Sequence, residues 1–242
     1  MKLAESILEL FYPSTCPGCG NHTSLKNLWC EKCIRQFWNP RMLSSSLTKY
    51  LCGWYTLCNY TGGLRKCVIR LKYNGRVELK HAFPPLLTVF PWWERLKEYE
   101  TVIPIPLSKA RFRERGYNQV DMIFRKWVET SGKTYIPHGM VRMRNTETQS
   151  LLTKEERYKN MRGVFHVNKG TSVKGKKILL ADDIYTTGAT MESAAHELMR
   201  AGAEKVVGIT IARHCNNRKS CKGEESVSLQ DFLIEVINGK SF

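Results

Sequence analysis

Lys177-Ile178-Leu179-Leu180-Ala181-Asp182-Asp183-Ile184-Tyr185-Thr186-Thr187-Gly188-Ala189-Thr190 reads as a strand, a turn and the start of a helix. The apolar run 178–181 predicts a buried strand that ends at two adjacent carboxylates. Beyond the Thr-Thr-Gly-Ala-Thr turn, Met191, Ala194, Ala195, Leu198 and Met199 recur at helical spacing, and Gly202 marks the stop. A helix that begins this way presents free backbone N–H groups with its dipole behind them, which makes an anion site. Thr186, Thr187 and Thr190 add hydroxyl donors, Ala189 keeps the turn small, and Gly188 lets the backbone approach closely. Asp182 and Asp183, just ahead of this cradle, are placed to accept hydrogen bonds from vicinal hydroxyls. The stretch predicts a site for a ribose 5-phosphate. It is not a Walker A loop, because the Gly-Lys-Ser/Thr signature is missing.

The chain has 242 residues, enough for one α/β domain and a small appendage. Its net charge of +16 is unevenly spread: between Thr101 and Lys177 there are 17 Lys/Arg against 6 Asp/Glu, a surplus of 11. Such a surplus predicts an anionic partner: nucleotide phosphates, pyrophosphate, nucleic acid or anionic lipid. The N-terminus carries Glu5 and Glu9 and only a short apolar run, unlike a secretory signal. The apolar stretch 83–93 holds three prolines and is too short to span a bilayer. A cytoplasmic chain with reduced thiols is expected, and nine cysteines there suggest metal binding rather than disulfides.

Cys16-Pro17-Gly18-Cys19 and Cys30-Glu31-Lys32-Cys33 form a C-x2-C-x10-C-x2-C pattern. Two such knuckles place four thiolates around one ion, and the short spacer favours zinc over an iron–sulfur cluster. A closed four-thiolate site is structural rather than catalytic. Cys52, Cys58 and Cys67 stand among apolar residues and read as core. His214, Cys215 and Cys221 are too loosely spaced to be assigned a second metal.

Two further elements carry charge. Tyr60-Thr61-Gly62-Gly63-Leu64-Arg65 leads into an amphipathic helix that ends near Gly75, so Lys72 and Tyr73 either face a bound anion or merely complement the helix dipole. Thr101-Val102-Ile103-Pro104-Ile105-Pro106-Leu107 predicts a short strand. A cationic loop follows, with Ser108, Lys109, Arg111, Arg113 and Arg115, and then a helix with Val120, Ile123, Phe124 and Trp127 on one face. The arginine fork suits phosphate, and pyrophosphate leaving an anomeric carbon would be one occupant. The polar segment from Arg142, with Arg144, Thr148 and Gln149, is either a mobile lid over such a site or an ordinary surface loop.

Four blocks together resemble the ComF family of bacterial competence proteins. They are the cysteine knuckles after Leu10-Phe11-Tyr12-Pro13; the strand from Val102 with Arg111 and Arg115-Gly116-Tyr117-Asn118-Gln119; Arg144, Thr148-Gln149, Leu152, Arg157, Asn160, Gly163 and Phe165; and the loop from Asp182 to Thr190. The resemblance implies an α/β fold of the type I phosphoribosyltransferase kind. That means an open, mostly parallel sheet of about five strands with helices on both faces and the site at the carboxyl ends of the strands. A small zinc-ribbon-like module would occupy 1–40, the phosphoribosyltransferase-like domain 41–213, and a tail outside the resemblance 214–242. It also implies phosphoribosyl pyrophosphate with Mg²⁺ as ligand. Asp182 and Asp183 would take the ribose hydroxyls, residues 186–190 the 5-phosphate, and Ser108, Arg111 and Arg115 the pyrophosphate. A role in DNA uptake follows from the same resemblance, with single-stranded DNA or a competence helicase as partner. Two classes remain open from the residues: an active transferase of unnamed acceptor, and a non-catalytic binding protein that keeps the ribose-phosphate site as a sensor of phosphoribosyl pyrophosphate or a relic and grips single-stranded DNA. In the second, Trp54, Tyr55, Trp92, Trp93 or Tyr117 would serve as stacking platforms.

Overall fold

A computed structural model of the chain describes residues 14–23, 29–43, 48–143, 163–214 and 225–226. The strands among them are β1 (Trp38–Leu43), β2 (Trp54–Asn59), β3 (Thr101–Pro104), β4 (Thr134–Tyr135), β5 (Met140–Arg142), β6 (Phe165–Val167), β7 (Lys177–Tyr185), β8 (Lys205–Arg213) and β9 (Glu225–Ser226). The helices are α1 (Glu31–Phe37), α2 (Gly62–Tyr73), α3 (Pro84–Thr88), α4 (Trp93–Leu96), α5 (Lys109–Arg115), α6 (Gln119–Thr130) and α7 (Ala189–Arg200). Seven strands form one sheet in the order β4-β3-β7-β8-β2-β1-β9, and β5 pairs with β6 in a separate ribbon. From β4 to β2 the strands are parallel, while β1 and β9 join antiparallel at one edge.

Alternation along β7 sets the layers. Ile178 and Leu180 enter a core with Met191, Ala194 and Leu198 of α7. Leu179 and Ala181 enter the opposite core, with Ile34 of α1, Leu64 and Val68 of α2, and Val120 and Phe124 of α6. A strand covered on both faces reads as an unbroken apolar run, as 178–181 does. Truncating Leu180 to Ala would cost about 2–5 kcal/mol, because both the transfer energy and the cavity count against the fold.

Three local expectations change. The strand does not stop at the carboxylates: β8 continues to pair through Asp182↔Thr210, Ile184↔Ala212 and Tyr185↔Arg213. The segment after Ser108, expected as a loop, is the helix α5. Ser108 Oγ accepts the Arg111 N–H at 3.4 Å, Gly116 ends the helix at φ 76°, and the Lys, Ala, Arg and Glu between them favour helix. Cys58 and Cys67 are buried as expected, but Cys52 lies just outside β2 and is exposed. Trp54, Tyr55 and Trp92 are buried in the core, which leaves Trp93 and Tyr117 as the partly exposed members of that aromatic set.

The cysteine-bearing segment is continuous with the rest. α1 runs directly into β1, Ile34 and Phe37 share a core with Leu64 and Leu71, and Trp29 Nε1 donates to the Ala82 carbonyl at 2.7 Å. At the far edge β9 pairs with β1 through Arg41↔Ser226 and Met42↔Glu225. Arg144, Thr148, Gln149, Arg157, Asn160, Cys215 and Cys221 lie outside the described residues. Among the described residues no helix is long and apolar enough to cross a membrane.

Candidate functional site

The carboxyl end of β7 carries Asp182 and Asp183, and the two-residue period of the strand sends them to opposite faces. Asp183 follows Leu179 and Ala181 toward α2. There Lys72 Nζ lies 2.5 Å from its Oδ2, with side-chain exposures of 14% and 6%. Asp182 follows Ile178 and Leu180 toward the β5–β6 ribbon, and the Arg142 guanidinium is close enough to hold it electrostatically. Asp182 Oδ1 also accepts the Asp183 N–H at 2.8 Å. Burial, and then the negative charge of Asp183, push the Asp182 carboxyl up to about 7, with Lys72 and Arg142 only partly opposing this. A cation or a hydroxyl donor beside Asp182 would favour its ionised form.

Thr186, Thr187 and Gly188 form the turn, and Ala189 and Thr190 open α7. Gly188 holds φ 82°, and a Cβ there would stand 2.9 Å from the Tyr185 ring, so conformation and space both call for glycine. No side chain caps α7. Its first-turn acid is turned aside, because Glu192 Oε1 accepts the backbone N–H groups of Lys49 at 2.5 Å and Tyr50 at 2.7 Å. The start of the helix is left electropositive, as an anion cradle requires.

On the neighbouring turn, Ser108 spends its hydroxyl capping α5. Arg111 comes within electrostatic reach of Arg142, and burial together with Arg111 lowers the Arg142 guanidinium from its ordinary value. Arg115 Nη1 donates to Gln119 Oε1 at 2.7 Å and its guanidinium stacks 4.9 Å from the Tyr73 ring. The Asn118 side chain donates to Ile105 O at 2.9 Å, fixing this turn to the end of β3. The other face of α5, with Lys109, Phe112 and Arg113, lines a cavity of about 520 Å³ together with His138 and Arg142. The structure thus gathers Asp182, Asp183 and Arg111 with Lys72 and Arg142. Of the last two, Lys72 had a signal in the sequence, a cation at the end of an amphipathic helix. Arg142 heads the polar segment read as a lid or a surface loop, but it stands on β5, and nothing local in the sequence ties it to Asp182.

Cys16, Cys19, Cys30 and Cys33 bring their sulfurs within 4.8 Å of one another. Cys19 Sγ and Cys30 Sγ are 3.6 Å apart. Four thiolates about 2.3 Å from a tetrahedral ion would be about 3.8 Å apart, so the set fits a metal ion. The Asn21 backbone draws the Cys19 thiol down to about 7, whereas burial pushes Cys30 and Cys33 up. Metal binding here would release protons.

Residues 131–238 match the phosphoribosyl transferase domain family, which covers β7, the turn and α7. Competence protein ComFC of Bacillus subtilis is 32% identical over 204 residues, 82% of this chain and 77% of the relative. Competence protein ComFC of Streptococcus pneumoniae is 30% identical over 86% of this chain and 85% of its own length. DNA utilization protein YhgH of Salmonella typhimurium is 29% identical over 80% and 81%. Likeness of this degree along most of both chains, on an open and mostly parallel sheet with flanking helices, shows that the chain belongs to the ComF family and carries a phosphoribosyltransferase domain of the type I fold.

Proposed function

We propose that this protein binds phosphoribosyl pyrophosphate together with Mg²⁺ at the end of β7 and serves DNA uptake in natural competence. The observation that carries the reading is the Asp182–Asp183 pair set immediately before an uncapped, glycine-entered helix, with Lys72, Arg111 and Arg142 grouped around it. The backbone N–H groups and hydroxyls of residues 186–190 hold the 5-phosphate. Asp182 and Asp183 orient the ribose hydroxyls and hold Mg²⁺, in part through water, which suits hard oxygen donors. Bound Mg²⁺ supplies charge neutralisation to the pyrophosphate. Arg111 and Arg115 meet the pyrophosphate from α5, with Ser108 fixing the start of that helix. Catalysis, where an acceptor is supplied, would rest on position and charge around an oxocarbenium-like sugar. The cysteine set holds structural zinc, and the site works in the cytoplasm.

Thermal unfolding with phosphoribosyl pyrophosphate, with and without Mg²⁺, tests the reading. Ligand at a hundred times its dissociation constant adds about 2.7 kcal/mol of stability. A Mg²⁺-dependent rise in Tm that Asp182→Asn abolishes is expected. No rise at millimolar ligand refutes the reading.

A second reading has its own support. The arginines of α5 stand beside Phe112 (49% exposed) and Tyr73 (64% exposed), a cationic surface with aromatic faces of the kind single-stranded DNA uses. Here the partners would be single-stranded DNA and a competence helicase. Affinity that falls steeply with salt and survives Asp182→Asn would favour it.

A further inference from the structure

The two ends of α2 meet two different sites. At its start, a Cβ added to Gly63 would stand 2.9 Å from Gly18 Cα and 3.0 Å from Cys33 Sγ, so helix and cysteine module touch backbone to backbone. At its end, Lys72 Nζ lies 2.5 Å from Asp183 Oδ2. Nine residues separate Gly63 from Lys72, about 14 Å of helix at 1.5 Å per residue. Leu64, Cys67, Val68 and Leu71 are fully buried along that length, and the Tyr117 hydroxyl donates to the Leu71 carbonyl. A helix held this way moves as a rod rather than bending.

We propose that Lys72 is a positioning residue for the Asp182–Asp183 site, and that the cysteine module sets its position through α2. This rests on the ligand reading above. Lys72 supplies the close counter-charge to Asp183, leaving Asp182 to respond to the ligand. Withdrawing it leaves the buried Asp183 carboxylate without the ammonium that fixes its side chain. The module fixes where the rod begins, because neither Gly18 nor Gly63 leaves space for slippage. A loosened module shifts the start of α2, and the shift appears at Lys72. The cysteines thereby act on a site whose carboxylates stand on a distant strand.

The test uses the full chain with Gly63→Val, Lys72→Met, Lys72→Arg and the Gly63→Val/Lys72→Met pair. Zinc content is assayed to confirm that the thiolates remain loaded. Titration calorimetry with phosphoribosyl pyrophosphate and Mg²⁺, and hydrogen exchange at the amides of 70–73, give the readouts. Gly63→Val should retain one zinc, speed exchange at 70–73 about tenfold and weaken binding about tenfold. Lys72→Met should weaken binding similarly, Lys72→Arg should recover it, and the double variant should be no weaker than the poorer single one. Unchanged exchange at 70–73 in Gly63→Val, or losses that multiply in the double variant, overturns the proposal. If the unaltered chain does not bind the ligand, the ligand reading fails while the exchange result still decides the coupling. If Gly63→Val does not fold, chelating zinc from the unaltered chain replaces it. Faster exchange confined to the module and α2 supports the link, and exchange unchanged at 70–73 or raised equally in β7 and β8 overturns it.

Discussion

β3 and β7 are paired neighbours, so the turns that follow them lie side by side, yet they present anion-binding groups in different ways. After β7 the donors belong to the backbone: Gly188 at φ 82° opens a helix that no side chain caps. After β3 the helix start is already satisfied by Ser108, and the positive charge is carried on arginine side chains. A backbone cradle has few substitutes, because one wrong Cβ removes the shape. A set of side chains shares its charge, so any one of them can be lost at moderate cost.

That contrast can be broken by experiment. The largest effect is expected at Asp183. Asp183→Ala leaves the Lys72 ammonium, 14% exposed, without its carboxylate and should cost about 3 kcal/mol in denaturant unfolding. Gly188→Val forces a Cβ onto the Tyr185 ring and should weaken phosphoribosyl pyrophosphate at least a hundredfold by calorimetry, about 2.8 kcal/mol. A loss below tenfold would mean that the backbone cradle is not the phosphate site.

The pH dependence has a definite sign. Asp182 is raised from its ordinary 3.8 to about 7 in the folded chain. Its ionisation therefore opposes folding, and its contribution to stability falls as pH rises from about 4 through 7. A ligand that prefers the carboxylate binds more tightly as the same proton leaves. Affinity should be about tenfold weaker at pH 6 than at pH 8, with proton release seen as a buffer-dependent heat.

On the neighbouring turn the effects should be smaller. Arg115→Ala loses a guanidinium held by Gln119 and Tyr73 and should weaken ligand about fivefold, near 1 kcal/mol, with Arg111→Ala alike. Ser108→Ala removes only the cap of α5 and should lower stability by about 0.5 kcal/mol with little change in affinity. Should Arg115→Ala match Gly188→Val, the contrast between a backbone site and a shared-charge site would collapse.

Some of this was legible before any coordinates. The apolar run of β7, the helical spacing in α6 and α7, and the paired knuckles are local patterns, and local patterns survive folding because they describe what one element can bury or ligate. The helical state of α5 was missed although its cap, Ser108, and its stop, Gly116, are both in the sequence. The arginines of that segment read as charge, although arginine also favours helix. Arg142 heads a segment legible as a lid or a surface loop, but its closeness to Asp182 is not legible, because the two lie on different strands and no spacing rule connects them.

Which residues could make a ribose-phosphate cradle and a four-thiolate cluster can be read from the chain alone, because both are built from contiguous or closely spaced groups. How the two carboxylates differ depends on packing. The pleat of β7 turns Asp183 toward the Lys72 ammonium and Asp182 toward Arg142, and burial then raises the Asp182 carboxyl. Packing also decided that the cysteine module and the carboxylates stand at opposite ends of one helix. Those outcomes depend on which surfaces exclude water together, and that is a property of packed elements rather than of any one of them.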